Sequence, residues 1–170
     1  MINLTAPSIL IIIDLWDSIT DQIRINNIID FINKNDFIEK VYGGIYTTAP
    51  GPRKEHRDIA RIEKPFENLS KKWERVIAKF GSKYQGYDAF ELRLRLLSEM
   101  PHIENIYITG FAFDQCIRTR SLGYRNLRQV LSDKNIIINK TLVGDFTEEI
   151  IEESPAEWAY IDEETILYSI

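Results

Sequence analysis

One cysteine, two histidines and two methionines in 170 residues leave little material for several classes of protein. The lone Cys116 cannot close an internal disulfide, so the fold is not expected to depend on an oxidising compartment. His56 and His102 stand far apart, with no H-x-H or H-x3-5-H spacing, and no metal site is expected. Positive charge is also scarce, with 21 basic against 26 acidic residues and a formal charge of −5. That balance repels nucleic acid and anionic membrane, and no basic stripe overrides it. No G-x-G-x-x-G follows an apolar run, so no organic cofactor is implied. No apolar run approaches a membrane span, and no charged segment precedes the first one, so a cytoplasmic location is expected. Repeats, low-complexity tracts and linkers are absent as well.

What remains is an ordinary globular composition, 44% hydrophobic, in a length suited to one domain over residues 1–170. Short β-branched runs alternate with amphipathic stretches. "SILIIIDLW" (8–16) reads as a strand covered on both faces, and 19–35 as a helix. "KVYGGIYTTA" (40–49) is a second strand, in which Gly43 and Gly44 allow close approach of a neighbour. "WERVIAKF" (73–80) is a third strand, and 87–100 is a helix closed by Pro101. "NIYITGFA" (105–112), a helix from Asp114 to Leu131, and strands at 135–144 and 165–170 follow, with Thr147–Tyr160 partly helical around Pro155. This alternation predicts an α/β fold: a three-layer α/β/α, Rossmann-like sandwich on a mostly parallel six-stranded sheet. In such folds ligands bind beyond the carboxyl ends of the strands.

Three polar residues stand at such ends. Asp14 closes the apolar run Ile9–Ile13, where it reads either as a crevice carboxylate or as a cap for the next helix. Lys79 closes the third strand, and Cys116 lies six residues after Gly110. With Asp114 as N-cap, Cys116 falls in a first helical turn, where free N–H groups favour a thiolate. A carboxylate base, a cation and a thiol together make a chemically sensible nucleophilic triad.

"SILIIIDLWDSI", "KVYGGIYTTAPGPRKEH", "VIAKF…YDAFELRLRLL" and "IYITGFAFDQCI" occur in the order found in the isochorismatase-like, or cysteine hydrolase, superfamily, and over about residues 8 to 131 the chain resembles it. The most specific of these pieces is the G-x5-C element. The resemblance implies Asp14, Lys79 and Cys116 as catalytic residues and a sheet order of 3-2-1-4-5-6. It also implies an oxyanion hole at the amides of Ala112 and Cys116 beside a non-proline cis peptide, and assembly as a homodimer or homotetramer. The activity implied is hydrolysis of a C–N bond of a small molecule through a thioester.

The chain departs from the family pattern in two places. Trp16 replaces the glutamine of D-x-Q, and the interval from Lys79 to Phe90 is long, which makes Lys83 a second candidate for the lysine. Trp16, Phe111 and Phe113 are candidate pocket walls. Arg118 is the best placed of Arg118, Arg120, Arg125 and Arg128 to meet an acidic substrate, the others reading as a solvated face or subunit contact. A competing reading, a haloacid-dehalogenase-like phosphatase, takes Asp14 as nucleophile, Thr109 as second motif and Asp145 as a magnesium ligand. Trp16 stands where its second acid belongs. A third reading is a catalytically silent family member acting as a binding protein.

Overall fold

Eight consecutive buried residues, Ser8–Leu15, form β1, the strand about which the fold is organised. A computed structural model describes residues 1–15, 19–45, 58–69, 71–78 and 86–169 of the chain. Strand β1 is flanked on both edges by parallel neighbours, β2 (Ile38–Ile45) and β4 (Asn105–Gly110), and is buried on both faces, which accounts for its unbroken aliphatic run Ile9–Ile13. Beyond β2 lies β3 (Trp73–Ile77), and beyond β4 lies β5 (Asn135–Asn139), both parallel.

The sheet ends in a hairpin, β6 (Trp158–Tyr160) and β7 (Thr165–Tyr168), with β7 antiparallel to β5. The order is therefore β3-β2-β1-β4-β5-β7-β6, seven strands where six were expected. The additional strand is β6, in a stretch read as partly helical. Helix α5 (Glu148–Glu153) stops before Pro155, and the chain extends from Trp158, whose indole joins the rings of Tyr124 and Tyr168 at 4.9 and 5.0 Å.

Alternation along β1 divides the core. Ile9, Ile11 and Ile13 pack with Leu92 and Leu96 of α3 (Ala89–Glu99) and with Tyr124 and Leu127 of α4 (Tyr124–Val130). Leu10 and Ile12 pack on the opposite face with Ile25, Ile28 and Ile32 of α1 (Gln22–Lys34) and Ile62 of α2 (Ile59–Glu63). Each fully buried aliphatic contributes about 1.5–3 kcal/mol, so this double-sided burial is the main stabilising term. The expectation for Gly43 holds: a Cβ there would fall inside the Trp73 indole, which stacks on Phe66 at 4.8 Å.

The expected helix from Asp114 to Leu131 is broken. A single π-helical turn, Phe113–Ile117, is followed by an irregular corner, and α4 begins only after Gly123. A Cβ on Gly123 would sit 2.7 Å from the Ile117 carbonyl oxygen, so glycine lets the chain fold back sharply here. Ala112, not Asp114, is the residue that precedes the turn, and no side chain caps it.

Candidate functional site

The site begins with a break in the alternation of β1. Leu15 packs on the same face as Leu10 and Ile12, although strict alternation puts it opposite. Between Ile12 and Leu15 the register against β2 slips, from Ile12 opposite Gly43 to Leu15 opposite Ile45, so β1 carries one extra residue. Asp14 sits in this bulge with φ +58°, a left-handed conformation that aspartate tolerates better than most residues. The bulge lets β1 resume its packing while its carboxylate leaves the sheet plane. Asp14 caps no helix, for Asp21 caps α1.

Strand β4 supplies the other half. Gly110 lies opposite Ile13, and a Cβ on it would meet the Ile13 carbonyl oxygen at 2.9 Å and Ile117 Cγ1 at 3.1 Å. Glycine therefore allows the π turn to fold directly onto the end of β1, which brings Cys116 to Asp14.

Asp14 is 4% exposed. Its Oδ2 accepts a hydrogen bond from Arg120 Nε at 3.1 Å, and Arg120 Nη2 lies 3.7 Å from Cys116 Sγ. Asp14 Oδ1 is sealed from solvent and has no hydrogen-bond partner among the described residues. The thiol pKa is pushed up to about 11, by burial first and then by the adjacent Asp14 carboxylate, with Arg120 pulling the other way. The expected favouring of a thiolate by a helix start is thus reversed. At neutral pH Cys116 is a thiol beside a base.

Arg120, expected on a solvated face or at a subunit contact, is the arginine that reaches the thiol. The signal lies in the spacing. Arg120 is four residues after Cys116, donates its amide to the Cys116 carbonyl at 3.1 Å, and so projects from the same side of the turn. Arg118 is two residues after Cys116, projects elsewhere, and bonds Asp114 at 3.1 Å. It does not point back to the site as expected.

Phe113 is fully buried among Tyr124, Phe146 and Trp158, with ring centroids at 6.0, 5.0 and 5.8 Å, so it is core and not a pocket wall. Phe111 is partly buried on the α1 side of the sheet, away from the Cys116 face. The Ala112 carbonyl accepts the amides of Gln115 and Ile117, which fixes the start of the π turn. Among the described residues there is no cis peptide, so the one expected beside Ala112 is not found there. Lys79, Lys83, Trp16 and His56 lie outside the described residues.

Of the residues of the phosphatase reading, the Thr109 hydroxyl is buried and donates to the Leu142 carbonyl, while Asp145 is exposed. Among the described residues, no group of three or more His, Cys, Asp and Glu side chains is placed to hold a metal, and no helix is long and apolar enough to cross a membrane. No family model, curated protein or solved structure matches the chain.

Proposed function

We propose that this protein is a cysteine hydrolase that cleaves a C–N bond of a small amide, ureide or carbamoyl compound. The observation that carries the reading is the Asp14 carboxylate, buried beside Cys116 with one oxygen held by Arg120 and the other without a hydrogen-bond partner among the described residues. Leaving a buried acceptor unpaired costs about 1–3 kcal/mol, and a carboxylate oxygen without a donor, next to the thiol, is what a general base requires.

In the proposed reaction Asp14 takes the Sγ proton as sulfur attacks the substrate carbonyl, forming a C–S bond. The amides of Ala112 and Cys116 receive the developing oxyanion, a role supported by the resemblance to isochorismatase-like hydrolases. The tetrahedral intermediate collapses, the C–N bond breaks, and the leaving amine takes the proton from Asp14. Water, deprotonated by Asp14, then cleaves the thioester and frees the thiol. Lys79, with Lys83 as second candidate, enters through the resemblance as the cation of the triad. The same resemblance supports a homodimer or homotetramer. Because the resting thiol is protonated, Asp14 has to take its proton for sulfur to attack.

The test is a screen of amides, carbamoyl compounds and ureides for ammonia release by the wild type and Cys116→Ala side by side. Release that vanishes in the variant is the expected result. Release that persists removes the nucleophile, and silence of the wild type across all three classes favours the binding-protein reading.

A further inference from the structure

The resemblance assigns no role to Arg120, but its geometry does. Arg120 is 17% exposed at its side chain and is held from behind, its carbonyl accepting the Gly123 amide and Asn126 Nδ2, both at 2.7 Å. From that anchor Nε and Nη2, which lie on one edge of the planar guanidinium, reach Asp14 Oδ2 and Cys116 Sγ. The charged groups that act on the thiol among the described residues are Asp14 from β1 and Arg120 from the corner after the π turn.

We infer that Arg120 is a further catalytic residue, a guanidinium bridging acid and sulfur so that one cation stays paired with the negative charge as the proton crosses. This rests on the hydrolase reading for its chemical purpose. Before transfer the trio is a thiol, a carboxylate and a guanidinium; afterwards it is a thiolate, a carboxylic acid and the same guanidinium. The S–H bond breaks, an O–H bond forms on Asp14, the electron pair stays on sulfur, and the total charge is unchanged. Without the bridge, a buried thiolate forms with its nearest described cation gone, which the low-dielectric surroundings penalise. A lysine supplies the charge as a point donor and lacks the fork that touches both partners.

Cys116 is the sole cysteine, so alkylation of the intact full-length protein by iodoacetamide, followed by mass, reports this one thiol without any substrate. Asp14→Asn tolerates the left-handed backbone and removes the carboxylate that holds the proton on sulfur, so alkylation at about pH 8 is expected to speed up about tenfold. Adding Arg120→Gln to that variant should undo at least about tenfold, one unit of thiol pKa, while Asp14→Asn/Arg120→Lys retains part of the gain. Equal rates in Asp14→Asn and Asp14→Asn/Arg120→Gln overturn the proposal. Should the glutamine variant lose its cooperative melt, the lysine variant decides: a severalfold slower rate than Asp14→Asn supports the fork, and an equal rate overturns it. Failure of the ammonia screen with this alkylation pattern intact removes the hydrolase reading and leaves the Arg120–thiol coupling standing. Ammonia release that depends on Cys116, with alkylation indifferent to Arg120, does the reverse.

Discussion

Two kinds of carboxylate–guanidinium pair stand on this sheet, and they differ in how completely the acid is satisfied. At the β2–β3 edge, Glu74 gives one oxygen to Arg95 and the other to Lys40 Nζ at 2.5 Å, and Glu63 gives one to Arg75 and the other to Trp73 Nε1 at 2.6 Å. All four oxygens are spoken for. At the β1–β4 rim, Asp14 gives Oδ2 to Arg120 and leaves Oδ1 unpartnered among the described residues. The edge pairs have the form of struts: burial raises their acids, but the donors outweigh it and both end below the ordinary carboxylate value. The rim pair has the form of a tool, because one of its carboxylate oxygens has no donor among the described residues to compete with an incoming proton.

The sharpest way to break this contrast is to neutralise one acid of each kind. Asp14→Asn should lower turnover of a screened substrate by about 10²–10⁴-fold, the usual worth of a positioned base, and should lower the thermal midpoint as well, because the largely buried Arg120 guanidinium loses its anion. Glu74→Gln should leave turnover unchanged and cost about 1 kcal/mol, because Lys40 and Arg95 then share a partly exposed site without their anion. Parallel steady-state assays and thermal melts measure both. Equal loss of turnover in the two variants would erase the distinction.

How much of this contrast was legible in the sequence follows from which physical signals are local. The strand runs, their mostly parallel arrangement and the placing of Asp14 at the end of a central strand were readable, because such a strand must be apolar on both faces and a crevice opens at its carboxyl end. The bulge was not, since the phase slip between Ile12 and Leu15 is recorded only in pairing with β2. Strand β6 was hidden because Glu148–Glu153 does form a helix, and the hairpin after Pro155 depends on the distant rings of Tyr124 and Tyr168. The burial of Phe113 is not a local signal either, since it depends on the π turn that rotates the ring into the core. Arg120 was within reach of i, i+4 spacing, but the expected continuous helix gave four arginines equal standing.

A pH series sharpens the comparison next, with a moderate effect. Glu74 has a folded pKa below its ordinary 4.5, so its contribution is complete above that value and is lost as pH falls through it toward the folded one. Cys116 is opposite in sign. Its folded pKa of about 11 lies above the ordinary 9.0, so its contribution is present below 9.0 and is lost as pH rises toward 11. The gap in melting temperature between wild type and Glu74→Gln should close on acidification below pH 4.5. The stability of wild type relative to Cys116→Ala should fall between pH 9.0 and 11. A gap that is flat with pH in either pair contradicts the corresponding environment.

The smallest effect is expected at Arg118, and its smallness is informative. Its ion pair with Asp114 is half in water, the side chains being 30% and 60% exposed, so solvent screens most of the attraction and Arg118→Ala should shift stability by no more than about 0.5 kcal/mol. Arg118 lies two residues from Cys116 and Arg120 four, so proximity in sequence alone predicts the larger effect for Arg118. The geometry predicts the reverse: thiol alkylation unchanged in Arg118→Ala and slowed in Arg120→Gln. Slower alkylation in Arg118→Ala would mean that the general positive field of this turn, and not the one guanidinium bonded to both acid and sulfur, sets the reactivity of Cys116.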